Sequence, residues 1–169
     1  MIIFRPLSKA DIPNIIRWLR QDHVLDVWDS AQNASDDQLR DKYVARLSDN
    51  TIETYIIVID DIDVGLIQTY VVENIDDFSV LRDQAMGCDL FIGEPDYINK
   101  GYGTKLLRQF VKDYIFNHPN IEYACIDPEV ANERAIAAYE KVGFRPFRVS
   151  YDSHSELLTM YLKLHREEY

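Results

Sequence analysis

An apolar segment, a glycine turn, an amphipathic helix and a second apolar segment follow one another between residues 86 and 126. Residues 86–92 have the composition of a buried strand, and the Gly93-Glu94-Pro95-Asp96 segment stops it. After Gly101 the large apolar side chains recur at helical spacing, and residues 121–126 form another apolar run. This strand–helix–strand unit restricts the chain to folds in which helices pack on a sheet.

The remaining elements follow from helix-start residues, turn residues and β-branched runs. Ser8 and Asp11 provide helix-start chemistry for a helix that reaches about Arg20, and Ser35 begins a second helix after the irregular stretch 21–34. The order of elements predicts a single α/β domain spanning residues 1–169, with a mixed sheet and helices on both faces. The other predicted elements are a strand at 2–6, a hairpin of 55–59 and 64–72 around Asp60-Asp61, an acidic connection at 73–83, a helix carrying residues 135–142 that ends at Gly143, and strands near 144–151 and 157–164.

The charge balance argues against a nucleic-acid partner. The 169 residues include 29 acidic and 18 basic side chains, a formal net charge of −11, so no basic surface would neutralise a phosphate backbone. An acidic protein suits a cationic partner, although acidity also serves solubility alone. With 47% hydrophobic residues, six glycines and six prolines, the chain suits one globular domain.

The first residues of the chain, its apolar runs and its cysteines bear on the cellular compartment and on disulfide or metal sites. The first residues lack a basic leader followed by an apolar core, and no run approaches the ~20 apolar residues of a membrane span. We therefore expect a cytoplasmic protein without membrane contact. Cys88 and Cys125 are too few for a disulfide scaffold and lie in predicted strands, where buried thiols are expected. The four histidines are scattered, so no metal site is predicted.

The segment Asn99-Lys100-Gly101-Tyr102-Gly103-Thr104-Lys105 precedes the amphipathic helix. Glycines at such a junction let backbone N–H groups approach a ligand, and the helix N-terminus adds partial positive charge. With Lys100 and Lys105, the segment is a candidate cradle for a phosphate or pyrophosphate. A tight turn with glycines for backbone reasons alone would give the same pattern. Spacing excludes the dinucleotide fingerprint, which needs a third glycine, and the P-loop.

A second segment, on the following strand–helix unit, decides between these alternatives. Asn132, Ala135, Tyr139 and Gly143-Phe144 occupy the positions of an N-x-x-A-x-x-x-Y-x-x-x-G-F signature. Together with the Gly101-Tyr102-Gly103 loop, this signature resembles the GNAT family, the Gcn5-related N-acetyltransferases, and the element order resembles that family over essentially the whole chain. The resemblance implies the GNAT fold, with a central, mostly antiparallel sheet.

In the GNAT family the glycine loop binds the pyrophosphate of acyl-CoA, so the resemblance implies acetyl-CoA as cosubstrate and no metal. Ile98 stands where the family often has Arg or Gln, but backbone N–H groups do most of the phosphate binding. Tyr139 is implied as the general acid that reprotonates the departing thiolate, with a core aromatic as the alternative. Asn132 is implied as a hydrogen-bond partner of CoA, and capping of the following helix is its second role. The cofactor contacts implied are Phe91 and Ile92, whose backbone N–H groups would polarise the thioester carbonyl, and Asn99, Lys100, Gly101, Tyr102, Gly103, Thr104 and Asn132.

Within the GNAT family, three segments resemble one subfamily, the aminoglycoside 6'-N-acetyltransferases. They are Gln68-Thr69-Tyr70, residues 88–95 and the loop near Trp28. In those enzymes an aspartate at the position of Asp89 faces the substrate amine, so Asp89 is implied as a catalytic base or as an anchor for the ammonium group. A carboxylate turned toward solvent is the structural alternative. The substrate contacts implied are Trp28, Gln68, Tyr70, Asp89, Asp127 and Asp152.

The resemblance therefore implies direct acetyl transfer to the 6'-amine of an aminoglycoside within a ternary complex, giving antibiotic resistance. No Cys or Ser lies beside an activating base in the sequence, so no covalent enzyme intermediate is expected. Another cationic amine, such as a polyamine, a protein lysine or an N-terminus, is the alternative substrate. A non-catalytic acyl-CoA-binding protein is the alternative of another class, against which Asp89 and Tyr139 argue. Both a monomer and a homodimer are compatible with the sequence, and the loops at 21–34 and 73–85 are expected to shape the pocket.

Overall fold

The computed structural model describes residues 1–72, 84–152 and 157–169, without the side chains of residues 29, 30 and 152. The helices in these ranges are α1 (Ile12–Leu19), α2 (Asp22–Leu25), α3 (Asp29–Gln32), α4 (Asp36–Arg46), α5 (Tyr102–Phe110) and α6 (Glu133–Val142). The strands are β1 (Ile2–Pro6), β2 (Ile52–Ile59), β3 (Ile62–Val71), β4 (Ala85–Ile92), β5 (Tyr123–Ile126), β6 (Arg145–Asp152) and β7 (Leu157–His165).

Within the described residues the strands form a seven-stranded sheet in the order β1-β2-β3-β4-β5-β7-β6. The pairs β1–β2, β5–β7 and β6–β7 are antiparallel, whereas β4 and β5 run parallel. Parallel neighbours need a crossover connection, and α5 lies in the connection between β4 and β5. The strand–helix–strand unit and the hairpins thus produce the predicted mixed, mostly antiparallel sheet.

The contacts divide the chain into two compact units. The N-terminal unit comprises Met1–Gln68 and Asp89–Lys100, and the C-terminal unit comprises Thr69–Cys88 and Gly101–Tyr169. The strands β3 and β4 each contribute residues to both units.

Each unit has its own buried side chains. In the N-terminal unit α1 and α4 bury Trp18, Leu19 and Tyr43 together with residues of β2, β3 and β4. In the C-terminal unit a buried cluster includes Cys125 on β5. Cys88 is also buried and both thiols are free, as the sequence predicts.

The predicted start of the first helix is confirmed, and it is tied to the sheet. The Asp11 carboxylate accepts hydrogen bonds from the Ser8 N–H at 2.8 Å and the Ser8 hydroxyl at 2.7 Å. Arg5 on β1 donates two bonds to the same carboxylate, at 2.8 and 2.7 Å, and a third to Asp63 at 2.6 Å. Burial by itself would raise the pKa of Asp11, but the bonds from Arg5 and Ser8 lower it below its usual value.

Two other predicted boundaries are also confirmed. Asp60 and Asp61 have φ angles of 49° and 65°, the left-handed conformation that a tight hairpin turn requires. Ser35 caps α4 by accepting the Gln38 N–H at 3.2 Å, and the Gln38 side chain accepts the Ser35 N–H at 2.8 Å. This reciprocal pair is a capping box.

The structure differs from the sequence expectations at a few places. The stretch 21–34, for which the sequence predicts a loop or a short helix, contains two one-turn helices, α2 and α3. The last turn of the helix after Gly101 becomes a π-helix at Val111–Ile115, and β5 begins at Tyr123. The acidic connection 73–83 lies outside the described residues.

Candidate functional site

The end of β4 carries a β-bulge within the N-terminal unit. The Val64 carbonyl oxygen accepts both the Gly93 N–H at 2.8 Å and the Glu94 N–H at 3.1 Å. Two consecutive residues after β4 therefore oppose one residue of β3. The two strands come very close here, because a Cβ at Gly65 would lie 2.2 Å from the Phe91 carbonyl oxygen. Any side chain at residue 65 would displace the end of β4.

Asp89 lies opposite Gln68 on the neighbouring strand. The pairing of Val64 with Gly93 and the alternation of an antiparallel ladder place these two residues directly across from each other. The Gln68 Nε2 donates a 2.8 Å hydrogen bond to the Asp89 Oδ2. Gln68 is buried and Asp89 is half-buried. The carboxylate is thus oriented by a buried amide through a charge-assisted bond, unlike a solvated residue at a strand end.

Helix α4 brings a cation and a phenol into the electrostatic field of Asp89. The pKa of Lys42 is lowered mainly by burial and next by Arg46, while Asp89 opposes the fall. Burial raises the pKa of Tyr43 to about 12; the neighbouring Trp28 side chain and Arg46 oppose the rise, and Asp89 adds to it. Burial is the largest influence on both pKa values, and Asp89 is the smallest of the influences named. The Asp89 carboxylate therefore acts electrostatically on Lys42 and Tyr43 of α4.

The loop between α1 and α4 packs on the end of β4. The Trp28 and Phe91 rings meet edge to face, with centroids 4.9 Å apart at 78°. Trp28 is half-buried, whereas Trp18, which also contacts Phe91, is fully buried. The same loop places the His23 Nε2 at 2.9 Å from the Ile92 carbonyl oxygen. Trp28 is therefore a partly accessible wall of this region, and His23 holds the backbone of β4.

Tyr70 lies in the part of β3 that belongs to the C-terminal unit. A Cβ at Gly87 would lie 2.4 Å from the Tyr70 Cε2, so the half-buried ring covers that glycine. The Thr69 hydroxyl donates to the Gly87 carbonyl at 2.8 Å and fixes the same stretch of β4. Both residues lie on β3, where alternation of side chains turns Gln68 and Tyr70 toward the same face of the strand.

The turn before α5 has the geometry of an anion site in the C-terminal unit. Gly101 has a φ of 76°, a conformation that favours glycine, and it precedes the first helical residue. A Cβ at Gly101 or Gly103 would meet no atom of the described residues within 4 Å, so packing explains neither glycine. The first turn contains no acidic residue. A helix N-terminus without acidic side chains, whose first N–H groups have no acceptor within the helix, suits a negatively charged ligand.

Lysine side chains flank this turn. Lys105 lies with its Nζ 5.8 Å from the centre of the Tyr102 ring, and its side chain is exposed. Asn99 has a φ of 59°, so the chain is already turned sharply before Lys100. Lys100 is exposed and Thr104 is half-buried.

Helix α6 presents the two signature side chains. The Asn132 Oδ1 accepts the Ala135 N–H at 3.2 Å, so the capping role considered for Asn132 is present. The donors available to a ligand are then the two hydrogens of its amide nitrogen. Tyr139 is half-buried, with its ring centroid 6.4 Å from that of Phe144. Tyr139 is thus on the margin of the core, which weakens the alternative of a purely structural aromatic.

Asp127 follows β5 in the C-terminal unit and is half-buried. Burial raises the pKa of Cys125 to about 12, and Asp127 adds to the rise. After Asp127 the chain pairs with β7, since the Pro128 carbonyl accepts the Met160 N–H at 2.8 Å. Asp127 thus begins a stretch whose backbone is held by β7.

The predicted substrate residues fall into separate groups. Gln68 and Asp89 are brought into direct contact, and Trp28 lies in the same unit. Tyr70 and Asp127 belong to the C-terminal unit. The Asp152 side chain lies outside the described residues, and its backbone ends β6.

Sequence reasoning missed the role of His23. It counted this residue among scattered histidines, and its partner Ile92 is 69 positions away in the chain. No local pattern signals such a contact. Among the residues that the structure describes, no cluster of His, Cys, Asp or Glu fits a metal ion. No helix in the described ranges is long and apolar enough to cross a membrane.

Comparisons with known proteins bear on both fold and chemistry. Residues 8–150 match the model of the acetyltransferase (GNAT) domain. The chain is 28% identical to the aminoglycoside N(6')-acetyltransferase type 1 of Klebsiella pneumoniae over 148 residues, which cover 85% of this chain and 73% of the relative.

Solved structures extend the comparison to the fold. The chain superposes on the aminoglycoside acetyltransferase AAC(6')-Ib in complex with coenzyme A with a TM-score of 0.87, at 24% identity, over 99% of this chain and 96% of that one. A spermidine N-acetyltransferase from Vibrio cholerae in complex with CoA and spermine gives a TM-score of 0.80 at 17% identity, over 99% and 96% of the two chains. The fold is therefore the one that these acetyltransferases share.

Proposed function

The chain belongs to the acetyltransferase (GNAT) family, and from this premise we propose that it acetylates the 6'-amine of aminoglycosides with acetyl-CoA as the donor. The observation that carries the substrate class is the Asp89 carboxylate, held by Gln68 in the same unit as the Trp28–Phe91 aromatic pair. A fixed carboxylate attracts an ammonium group, and an adjoining aromatic ring suits the apolar face of a sugar. The curated relative that covers 85% of the chain is named for this activity.

The turn before α5 would bind the pyrophosphate of acetyl-CoA. The backbone N–H groups of Gly101, Tyr102, Gly103 and Thr104 supply donors at a helix N-terminus, and the surroundings of the two glycines leave room for close approach. Asn99 and Lys100 precede this turn and would complete the contacts, with the amide hydrogens of Asn132 directed at the CoA chain. When bound, acetyl-CoA supplies an activated thioester.

The N–H groups of Phe91 and Ile92, both expected to contact the thioester carbonyl, point to opposite sides of β4. Because the Gly93 N–H bonds to β3, strand alternation turns the Phe91 N–H toward β3 and the Ile92 N–H toward the opposite side. The Ile92 N–H is therefore the donor assigned to the thioester carbonyl, while Phe91 contributes its backbone to the strand ladder and its ring to Trp28.

Two protein side chains, Asp89 and Tyr139, would carry out the proton transfers that accompany acetyl transfer. Asp89 accepts a proton from the substrate ammonium, directly or through water, and the neutral nitrogen attacks the thioester carbon. The C–N bond forms as the C–S bond breaks, the Tyr139 hydroxyl gives its proton to the departing sulfur, and the nitrogen releases its second proton to water, from which the Tyr139 phenolate is reprotonated.

The remaining predicted contacts would recognise the rest of a polycationic substrate. Trp28 would stack on a sugar ring, and Gln68 and Tyr70 would contact hydroxyl groups. Asp127 and Asp152 would attract further ammonium groups. We take residues 1–169 to act as one catalytic domain in the cytoplasm, as a monomer or a homodimer, without nucleic-acid or membrane partners.

A different cationic amine is the second candidate substrate. The similarity of fold to a spermidine N-acetyltransferase favours a polyamine, because the Asp89 site recognises an ammonium group whatever carries it. A protein lysine or N-terminus is less supported by the aromatic wall at Trp28. A non-catalytic acyl-CoA-binding protein would retain the donor turn without needing a carboxylate held by Gln68.

Thiol release from acetyl-CoA, measured over a panel of aminoglycosides, polyamines and lysine peptides, tests the proposal. Turnover is expected with aminoglycosides that carry a 6'-amine and is expected to disappear with analogues that carry a 6'-hydroxyl. Turnover confined to polyamines or peptides would overturn the substrate, and tight CoA binding without turnover of any amine would overturn the enzyme.

A further inference from the structure

Ile92 turns both of its backbone polar groups away from β3. The Gly93 N–H is bonded to the Val64 carbonyl, so the residue before it directs its N–H and its C=O to the other side of the strand. On that side the His23 Nε2 lies 2.9 Å from the Ile92 carbonyl oxygen. The imidazole and the N–H assigned to the thioester carbonyl therefore lie along the same edge of β4.

The direction of the His23 bond follows from its partner. A carbonyl oxygen only accepts, so the Nε2 carries the proton and donates. His23 is half-buried on the one-turn helix α2, far from Ile92 in the sequence.

The bulge makes this bond important for the end of β4. The regular ladder stops where the Val64 carbonyl is shared by the N–H groups of Gly93 and Glu94. Beyond the bulge, the Trp18 Nε1 anchors the Glu94 carboxylate at 2.8 Å. Those contacts hold β4 from the β3 side and from beyond its end, whereas His23 holds it on the side where the acyl group would lie.

We propose that His23 is a positioning residue for acetyl transfer, which fixes the Ile92 carbonyl and thereby aims the Ile92 N–H at the thioester carbonyl. The inference rests on the proposed function, since it concerns the same reaction. A donor that is already aimed at the developing oxyanion lowers the barrier without reorganisation during the reaction. His23 itself contacts no reacting atom in this arrangement.

A matched pair of amide variants tests the role. In His23→Gln the side-chain nitrogen reaches the position of Nε2 and can still donate to Ile92. In His23→Asn the nitrogen reaches only the position of Nδ1, so the bond is lost while polarity is retained. His118→Asn, at an exposed histidine, controls for the loss of an imidazole. The measurements are kcat, KM for acetyl-CoA and for the amine, Kd for CoA, and Tm.

The expected result is a split between the two variants. His23→Asn should lower kcat about tenfold, less than the loss of an oxyanion donor itself, while CoA affinity and Tm stay unchanged. His23→Gln and His118→Asn should keep kcat close to that of the unaltered protein. The infrared stretch of 13C-labelled thioester carbonyl should shift to lower frequency on binding to the unaltered protein, and the shift should shrink in His23→Asn.

Other outcomes overturn the inference. Equal kcat values for His23→Asn and His23→Gln, or a loss of kcat that parallels a loss of Tm or CoA affinity, would show that His23 only supports the fold. Failure of the unaltered protein to acetylate any amine would overturn the proposed function itself, and it is seen before any variant is made.

Discussion

The two candidate binding regions are built in different ways. The turn before α5 is local: consecutive residues from Gly101 to Thr104 supply its conformation and its donors. The Asp89 site is assembled from distant parts of the chain, with Gln68 on β3, Trp28 in a loop and Lys42 on α4. An anion can be held by the backbone N–H groups of one helical turn, whereas an ammonium group needs a side-chain carboxylate held in place by other elements.

This difference predicts that variants in the two regions act on different steps. Changes at the α5 turn should alter the affinity for CoA, and changes at Asp89 should alter the rate and the use of the amine. A variant in either region that disturbed both steps equally would remove the distinction.

The largest effect is expected for Asp89→Asn. The amide keeps the shape and the bond from Gln68 but loses the charge, so kcat/KM for the amine should fall about 10³-fold, within the range for a general base. Steady-state kinetics and the Kd for CoA, which should not change, measure it. If Asp89 acts as a base, the residual rate should rise with pH as the amine loses its proton in solution.

Asp41→Asn is the matched control, because Asp41 is an exposed aspartate on α4. Its kinetics should equal those of the unaltered protein. An Asp89→Asn protein with unchanged kcat/KM would contradict both roles of Asp89.

Tyr139→Phe is expected to have the next largest effect. Loss of the proton donor should lower kcat about 10²-fold, the lower range for acid catalysis, because solvent can protonate a thiolate slowly. Affinity for CoA should be retained, since the ring stays in place beside Phe144. Tyr151→Phe, at a residue that is 61% exposed, is the control. Equal kcat values for the two variants would exclude Tyr139 as the acid.

Gly103→Ala separates ligand approach from packing at the α5 turn. A Cβ there meets no described atom within 4 Å, and alanine favours a helix over glycine by about 1 kcal/mol, so Tm should stay or rise. Affinity for CoA should nevertheless fall, by about tenfold, if the methyl group keeps the pyrophosphate from the backbone. Calorimetric titration with CoA measures it, and unchanged affinity would contradict close approach at this residue.

The smallest effect is expected for Asp11→Asn, which tests the tertiary network of the N-terminal unit. Replacing charge-assisted bonds by neutral ones should lower the free energy of unfolding by about 1 kcal/mol at pH 7. Because the folded pKa of Asp11 is lowered, the stabilisation is present above the ordinary value of about 3.9 and is lost as the pH falls through the folded value. The difference between the two proteins should therefore vanish in acid.

Denaturant unfolding at several pH values checks this prediction, with the exposed Asp61→Asn as control. A difference that persists below the folded pKa would mean that Asp11 acts through shape rather than charge. The rate constants of acetyl transfer should stay unchanged, since Asp11 takes no part in either binding region.

Much of the fold could be predicted because its signals are local. Ser8 and Ser35 mark helix starts through bonds to residues three positions on, and Asp60 and Asp61 form the predicted hairpin turn, with left-handed φ angles. The bulge at Gly93 gave no such signal, because it depends on the carbonyl of Val64 on another strand. The division of 21–34 into two short helices also depends on what the loop packs against, namely Phe91 and Ile92.

The sequence by itself determined the order of elements, the donor turn and the signature on α6, because each depends on spacing within one or two consecutive elements. Only the tertiary structure decided that Gln68 orients Asp89, that Lys42 and Tyr43 lie in its field, and that His23 holds Ile92. Hydrogen bonds and Coulomb interactions depend on distance in space, and no spacing along the chain specifies which residues from different strands and helices will meet.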